Sequence, residues 1–417
     1  MAHDTEPGDW KQKALALIGA GLGAVLVAGL ALYSVITTMS TPVHTVPQAV
    51  PSVTDAEPSA KWADAVAQSR ELARAGVVAQ SLPGVSVAVG VDGEIVWAEG
   101  FGWADIAKQV PLAPGMRFRI GHASKPITSA AVGLLLENGR LRLDDEIQTY
   151  VPAFPKKQWP VTLRQLMGNV AGVRHYRDDD EEDYMPTAHC DRASEGLQFF
   201  ANDPLLFEPR TQYGYSTFGW ILVSAAVEAA AGEPFFTFMR TQIFQPLGMT
   251  DTTFDSAIAP VENRATFYYQ RFNGDPRNGE ELENKVDYSC FAGGGAIVST
   301  PEDLVRFGNA IVNGKLLQPA TVDKLQRSQL LTSGAETAYG LGWMLEKVEL
   351  GGNPTRLAGH ASRTLLGGST SFLTFPERGL VVAVTTNIAL KDMKSIALGI
   401  AQAFAGPQTS GASSSPR

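Results

Sequence analysis

A histidine and a lysine three residues apart, His122 and Lys125, stand where Phe118-Arg119-Ile120-Gly121-His122-Ala123-Ser124-Lys125-Pro126-Ile127-Thr128 runs into an apolar stretch. Positions three apart share a helix face, so an imidazole and an amine are expected side by side at a helix start. Both the helix N-terminus and Lys125 disfavour an imidazolium, which predicts a neutral His122. A neutral ring could be acylated or could take a proton from water. Ser124 offers no ready substitute, because two residues along a helix is a turn of about 200° and directs it away from the face of 122 and 125. Neither a Ser-x-x-Lys nor a Gly-x-Ser-x-Gly elbow occurs in the chain.

The elements that must hold these groups can be read around them. Lys61 to Gln80 has helical spacing and is followed by Pro83. Val85 to Val91 and Glu94 to Ala98 are β-rich runs joined at Asp92-Gly93, a hairpin turn in which both residues tolerate positive φ. A second hairpin is expected from Thr370 to Phe375 and Leu380 to Thr385, turning at Pro376-Glu377-Arg378-Gly379, and Lys391 to Ala405 reads as a closing helix. Strands at both ends of a helical middle predict one antiparallel sheet built from the two ends of the domain, flanked by helices, with a mainly helical region inserted. The run Phe235-Phe236-Thr237-Phe238 reads as core.

Further segments recur in a recognisable order. They are Leu141-Arg142-Leu143-Asp144-Asp145, Leu163-Arg164-Gln165-Leu166-Met167, Phe200 to Leu205 leading into Tyr213-Gly214-Tyr215-Ser216-Thr217-Phe218-Gly219-Trp220, then Ala292-Gly293-Gly294-Gly295 with Ser299 to Leu304, and finally Gly359-His360-Ala361-Ser362. With the 118–128 stretch they resemble the serine β-lactamase and penicillin-binding-protein family over residues 61 to 405, in wording similar to its mitochondrial β-lactamase-like branch and bacterial relatives. The resemblance implies an α/β (α+β) β-lactamase-like fold. It also implies that position 122 is the nucleophile position, that Lys125 and Tyr215 share general-base and general-acid work, that His360 lines the cleft opposite, and that backbone amides form an oxyanion hole. Thr217, Gly294, Gly295, Ser362 and Arg363 are expected to contact substrate. No cofactor is implied, and no third ligand joins His122 and His360 to make a metal site.

Against that pattern the family's serine is replaced by His122. Ser362 stands where the third motif has a glycine, Asn169-Val170-Ala171-Gly172 where relatives often have His-Thr-Ser-Gly, and Arg210 where a glycine is common. Two readings follow: an ester, peptide or amide hydrolase scaffold with impaired activity, or a catalytically silent member binding peptide, cell-wall fragment or partner protein in the same cleft.

The rest of the chain sets the surroundings. A formal charge of -9, with no Lys/Arg-rich run, gives no footprint for nucleic acid. Ala14 to Ile36 carries no charge and at ~1.5 Å per residue spans about 34 Å, enough to cross a bilayer. Lys11 and Lys13 precede it, so residues 1–13 are expected to be cytoplasmic, 14–36 a signal anchor, 37–60 an extended Pro/Thr-rich tether, 61–405 an exported domain, and 406–417 a disordered tail. Cys190 and Cys290 leave open a disulfide or two separately buried thiols. The acids Asp178 to Asp183 could bind calcium or repel anions at the cleft rim, but are read as a solvated surface loop.

Overall fold

The computed structural model describes residues 9–39, 42–177, 179–258, 261–271, 275–278, 286–363 and 367–406. Its frame is an eight-stranded antiparallel sheet. Helix α1 (Asp9–Met39) and helix α2 (Ala63–Ala79) flank the short strand β1 (Ser52–Thr54), and the hairpin β2 (Gly84–Val91) and β3 (Glu94–Asp105) follows. After the helical insertion come β4 (Met344–Leu350), β5 (Asn353–Arg363), β6 (Ser369–Phe375) and β7 (Leu380–Thr386). The order across the sheet is β1-β3-β2-β7-β6-β5-β4, with Val110–Pro111 pairing β3 outside that path. The two expected hairpins are therefore zipped together by the β2–β7 ladder, which joins the two ends of the domain.

Alternation along the central strands separates two cores. Val85, Val87 and Val89 of β2 and Val382 and Val384 of β7 face one core with α2 and the closing helix (Met393–Ala405), whereas Ala88, Val381 and Ala383 face the other. The first hairpin turns at Asp92 (φ 51°) and Gly93 (φ 94°), as its sequence predicts.

The second core is larger and holds the insertion. Helix α3 (Ser124–Glu137) is buried from Ser124 to Gly133, and α4 (Phe218–Ala231) is buried from Phe218 to Glu228. Both are core helices, consistent with their nearly uniform apolar composition. Phe235 and Phe238 are likewise buried. Two of the recurrent segments prove to be architectural. Leu163–Met167 is a short helix with a Thr162/Gln165 capping box, tied by Arg164 to Asp144. Ser299 to Leu304 places Thr300 as N-cap and Pro301 as first residue of helix α5 (Pro301–Val312).

Two expectations change, and an alternative left open is decided. Part of the stretch expected as a tether is docked on the domain: His44 is buried with its Nε2 3.0 Å from the Pro83 carbonyl, Val50 is buried, and β1 pairs with β3. A hydrogen-bonded edge and a buried ring hold this Pro-rich segment where composition suggested only a spacer. Cys190 and Cys290 form a disulfide. Asp183, the last of the six acids, is buried against Arg174 rather than solvated. Leu15–Ser34 within α1 is, among the described residues, one helix long and apolar enough to span a membrane. The tail expected beyond residue 406, the first eight residues and Asp178 lie outside the described residues.

Candidate active site

The residues expected to line the cleft come together where the start of α3 meets strand β5. A 3-10 turn, Gly121–Ala123, precedes α3 and begins at a glycine with φ 51°, so the chain doubles back just before the helix and leaves His122 partly exposed at its mouth. One turn on, Lys125 is fully buried. Its amine donates to Thr217 Oγ1 at 3.2 Å and to the Gly294 carbonyl at 3.0 Å. The glycine run that carries that carbonyl must pack tightly: a Cβ on Gly293 would lie 2.1 Å from Thr128 Oγ1 on α3.

Thr217 is the hub. Besides accepting from Lys125, its Oγ1 lies 3.1 Å from His122 Nε2, and its amide donates to His175 Nδ1 at 3.3 Å. The Thr217 hydroxyl has one hydrogen to give and two lone pairs, so it accepts from Lys125 and pairs with His122 Nε2 in either tautomer of that ring. Thr217 itself is fully buried, so it reaches a ligand only through the groups it orients. On the facing strand, His360 donates from Nδ1 to the Ala361 carbonyl at 2.9 Å, which makes Nε2 the acceptor for the Tyr339 hydroxyl at 3.0 Å. Two residues along, Ser362 Oγ accepts the His122 amide N–H at 3.0 Å.

Tyr215 lies between the two histidines, its ring 5.4 Å from that of His122 and 6.2 Å from that of His360, with the Lys125 amine 4.9 Å from its centroid. Its hydroxyl is buried with no hydrogen-bond partner among the described residues. Ser124 is buried and its Oγ is also unpartnered, so it offers no hydroxyl to the cleft. Gly295 is buried beside Gly294. Arg363 ends β5, but its side chain lies outside the described residues.

Burial dominates the electrostatics. It pulls Lys125 well below the ordinary lysine value and lifts the Tyr215 phenol well above its own. His360 falls to about 3 through burial and the Lys125 charge, and His175 to about 3 through burial, Lys125 and Arg174. His122 is lowered by burial and then by Lys125, His175 and His360. Lys125 is thus the group shifted toward service as a base, while Tyr215 remains a protonated phenol at neutral pH.

Residues not singled out from sequence complete the wall. His175 stacks on Tyr176 at 4.1 Å and reaches both His122 and Tyr215, and Tyr339 meets Tyr215, Tyr213 and His360. The position of His175-Tyr176 shortly after Gly172 was the available signal; nothing local marks Tyr339. Arg174 is clamped by Asp183 and Asp203, which fixes the start of this wall. Asn169 adopts φ 57°, and through its carbonyl and Oδ1 it accepts from the amides of Gly214 and Ser216, bracketing Tyr215.

Comparison with known proteins matches this arrangement to a family. A sequence profile of the beta-lactamase family matches residues 66–405. The chain belongs to the beta-lactamase family. Among family relatives, the mitochondrial serine beta-lactamase-like protein LACTB of Mus musculus is 28% identical over 458 aligned residues, covering 84% of this chain and 82% of the relative. The beta-lactamase-like fold is shared with the D-amino acid amidase of Ochrobactrum anthropi SV3, solved with L-phenylalanine amide, at a TM-score of 0.68 and 24% identity over 82% of this chain and 97% of the amidase. EstCE1, a hydrolase with promiscuous acyltransferase activity, superposes at a TM-score of 0.67 and 22% identity, covering 84% of this chain and all of EstCE1 (100%).

Proposed function

We propose that this beta-lactamase-family protein is held on a membrane by residues 14–36, presents its 61–405 domain on the exported side, and receives a small ester, peptide or amide in the cleft with little or no covalent turnover. The observation that carries the reading is at position 122. The nucleophile position has no hydroxyl, and the imidazole there has its Nε2 engaged with the Thr217 hydroxyl at 3.1 Å. The nitrogen one turn from Lys125 is thus committed within the protein rather than free to attack a carbonyl or activate water. The neighbouring amide, the oxyanion donor by resemblance, is already bound to Ser362 Oγ.

Several features support the remainder. Relatives of the same fold include an amidase solved with an amino-acid amide and a hydrolase with acyltransferase activity. Leu15–Ser34 is long and apolar enough for an anchor, Lys11 and Lys13 precede it, and the Cys190–Cys290 disulfide suits an oxidising compartment. The cleft without its serine also fits a silent binding role for a peptide, cell-wall fragment or partner protein.

The deciding experiment assays the full chain and its His122→Ser variant with chromogenic esters, a cephalosporin and D-amino-acid peptides. Little turnover in the first and a clear gain in the second is the expected result. Equal and substantial turnover in both would remove position 122 from the mechanism. Two inactive proteins that both bind a substrate would favour the silent reading.

A further inference from the structure

Farther back along β5, away from the cleft, a half-buried cation lies at a cavity without a carboxylate on it. Arg356 is four residues before His360 on this strand, so the two side chains share a face of the sheet, about 13 Å apart along it. Among the described residues no carboxylate pairs with the guanidinium: Nη2 donates to Gln326 Oε1 at 3.2 Å, and the nearby Glu377 accepts the Arg356 backbone amide at 3.0 Å. A guanidinium has no acceptor, so that contact turns the Gln326 oxygen toward Arg356. The Gln326 Nε2 is then a buried donor with no partner among the described residues. Both side chains line a cavity of about 110 Å³. Apolar walls come from Ile311 and Val312 at the end of α5, from Pro319 and Val322 of the helix Pro319–Leu325, and from Pro376 after β6, and the exposed Asp323 lines it as well.

A half-buried guanidinium without a carboxylate and a buried amide donor without an acceptor are each unfavourable, and one anionic oxygen pair in the cavity answers both. The volume admits a small molecule and nothing larger, since a single water takes ~10–15 Å³ of such space. Apolar walls favour a hydrocarbon body over a bare inorganic anion, and the Asp323 carboxylate disfavours a second negative charge on the ligand. We propose that this cavity binds a small monocarboxylate with a short aliphatic body, its carboxylate on Arg356 and Gln326 and its hydrocarbon among Val312, Val322 and Pro376. The site is separate from the cleft around His122, so it stands whether or not that cleft turns over a substrate.

The test titrates the full chain, in nonionic micelles at pH 7.5, with isovalerate, followed by ligand-observed NMR. Isovalerate is expected to bind with a dissociation constant of about 1 mM. Its neutral counterpart isovaleramide, and acetate, which lacks the aliphatic body, should each displace it at least about tenfold more weakly. Arg356→Met, which keeps an unbranched stem but removes the charge, should weaken isovalerate at least about tenfold. Val312→Trp, which fills the cavity from the half-buried end of α5, should do the same and decides the matter if the arginine variant fails to fold. His122→Ser should leave the affinity unaltered. Absence of isovalerate binding up to about 20 mM overturns the proposal, as does isovaleramide or acetate displacing it at equal concentration. Unchanged isovalerate affinity in a folded Arg356→Met or Val312→Trp protein puts the acid elsewhere and overturns the site. A shift of more than about threefold in His122→Ser assigns the acid to the cleft, with the same consequence.

Discussion

The two corners of the cleft are built to different standards. Around Lys125 the amine is buried on two partners, Thr217 and Gly294, Thr217 is tied in turn to His175, and Gly293 packs where no side chain fits. Around His122 and Ser362 the same frame carries residues that occupy each other's functional positions, the hydroxyl of one on the amide of the other. The difference teaches that packing holds the frame independently of the residue at position 122, so the frame is kept where the family's serine is replaced.

The largest effect should come from rebuilding the second corner. His122→Ser restores the hydroxyl one turn from a low-pKa amine, and Ser362→Gly frees the amide. The single His122→Ser change should raise ester turnover by about two orders of magnitude or more. Adding Ser362→Gly should raise it by about tenfold again, because one oxyanion donor is worth that much or more. Steady-state kinetics on the single and double variants check both. A double variant no faster than His122→Ser would show that the Ser362 hydroxyl leaves the amide freely when substrate arrives.

Much of this was legible in the sequence, and the reason for each success is local. The hairpin at Asp92-Gly93, the helix opening at Ser124 and the segment at Tyr215 each carry their own turn, cap or pattern, so family and fold followed from short stretches in order. His175, Tyr176 and Tyr339 escaped because their role depends on contacts with residues far along the chain, as with Tyr339 and His360 across 21 positions. Asp183 escaped because it sits in a run of acids whose bulk is exposed, and only the fold reveals the Arg174 that draws it inward. The docking of residues 43–54 escaped because a three-residue edge strand in a Pro-rich stretch has no periodicity to detect.

The contrast between corners can be sharpened through stability. Lys125→Met would leave the Gly294 carbonyl and the Thr217 hydroxyl without their donor in a buried site, at a cost of about 2–4 kcal/mol. His122→Ala, at the partly exposed corner, should cost less than about 1 kcal/mol. Thermal or denaturant unfolding of the two variants measures the gap, and equal losses would mean that the two corners are equally integrated.

Acid should also act on this wall. His360 is lowered to about 3 in the folded protein from an ordinary value near 6.5. Its group is neutral in both states at pH 7.5; below pH 6.5 the unfolded chain binds the proton first, so stability falls with pH from there until the folded value is reached. The loss attributable to His360 should reach about 2 kcal/mol at pH 5. His360→Gln should flatten that part of the stability profile.

The smallest effect lies at Arg210, at the turn before Tyr215. It adopts φ 68°, a left-handed conformation that costs a side-chain-bearing residue energy, and its amide and carbonyl are fixed by Val170 and Thr332. Glycine, common at this point in the family by resemblance, would adopt that conformation without strain but would lose more chain entropy on folding. The two effects oppose, and relief of strain should win by about 0.5–1 kcal/mol, since the turn stays hydrogen-bonded in either case. Arg210→Gly is therefore expected to raise the unfolding midpoint slightly, because the arginine side chain makes only one long contact, to the Leu330 carbonyl on the exposed side of the turn. A drop in stability would mean that this contact contributes more than the backbone strain costs.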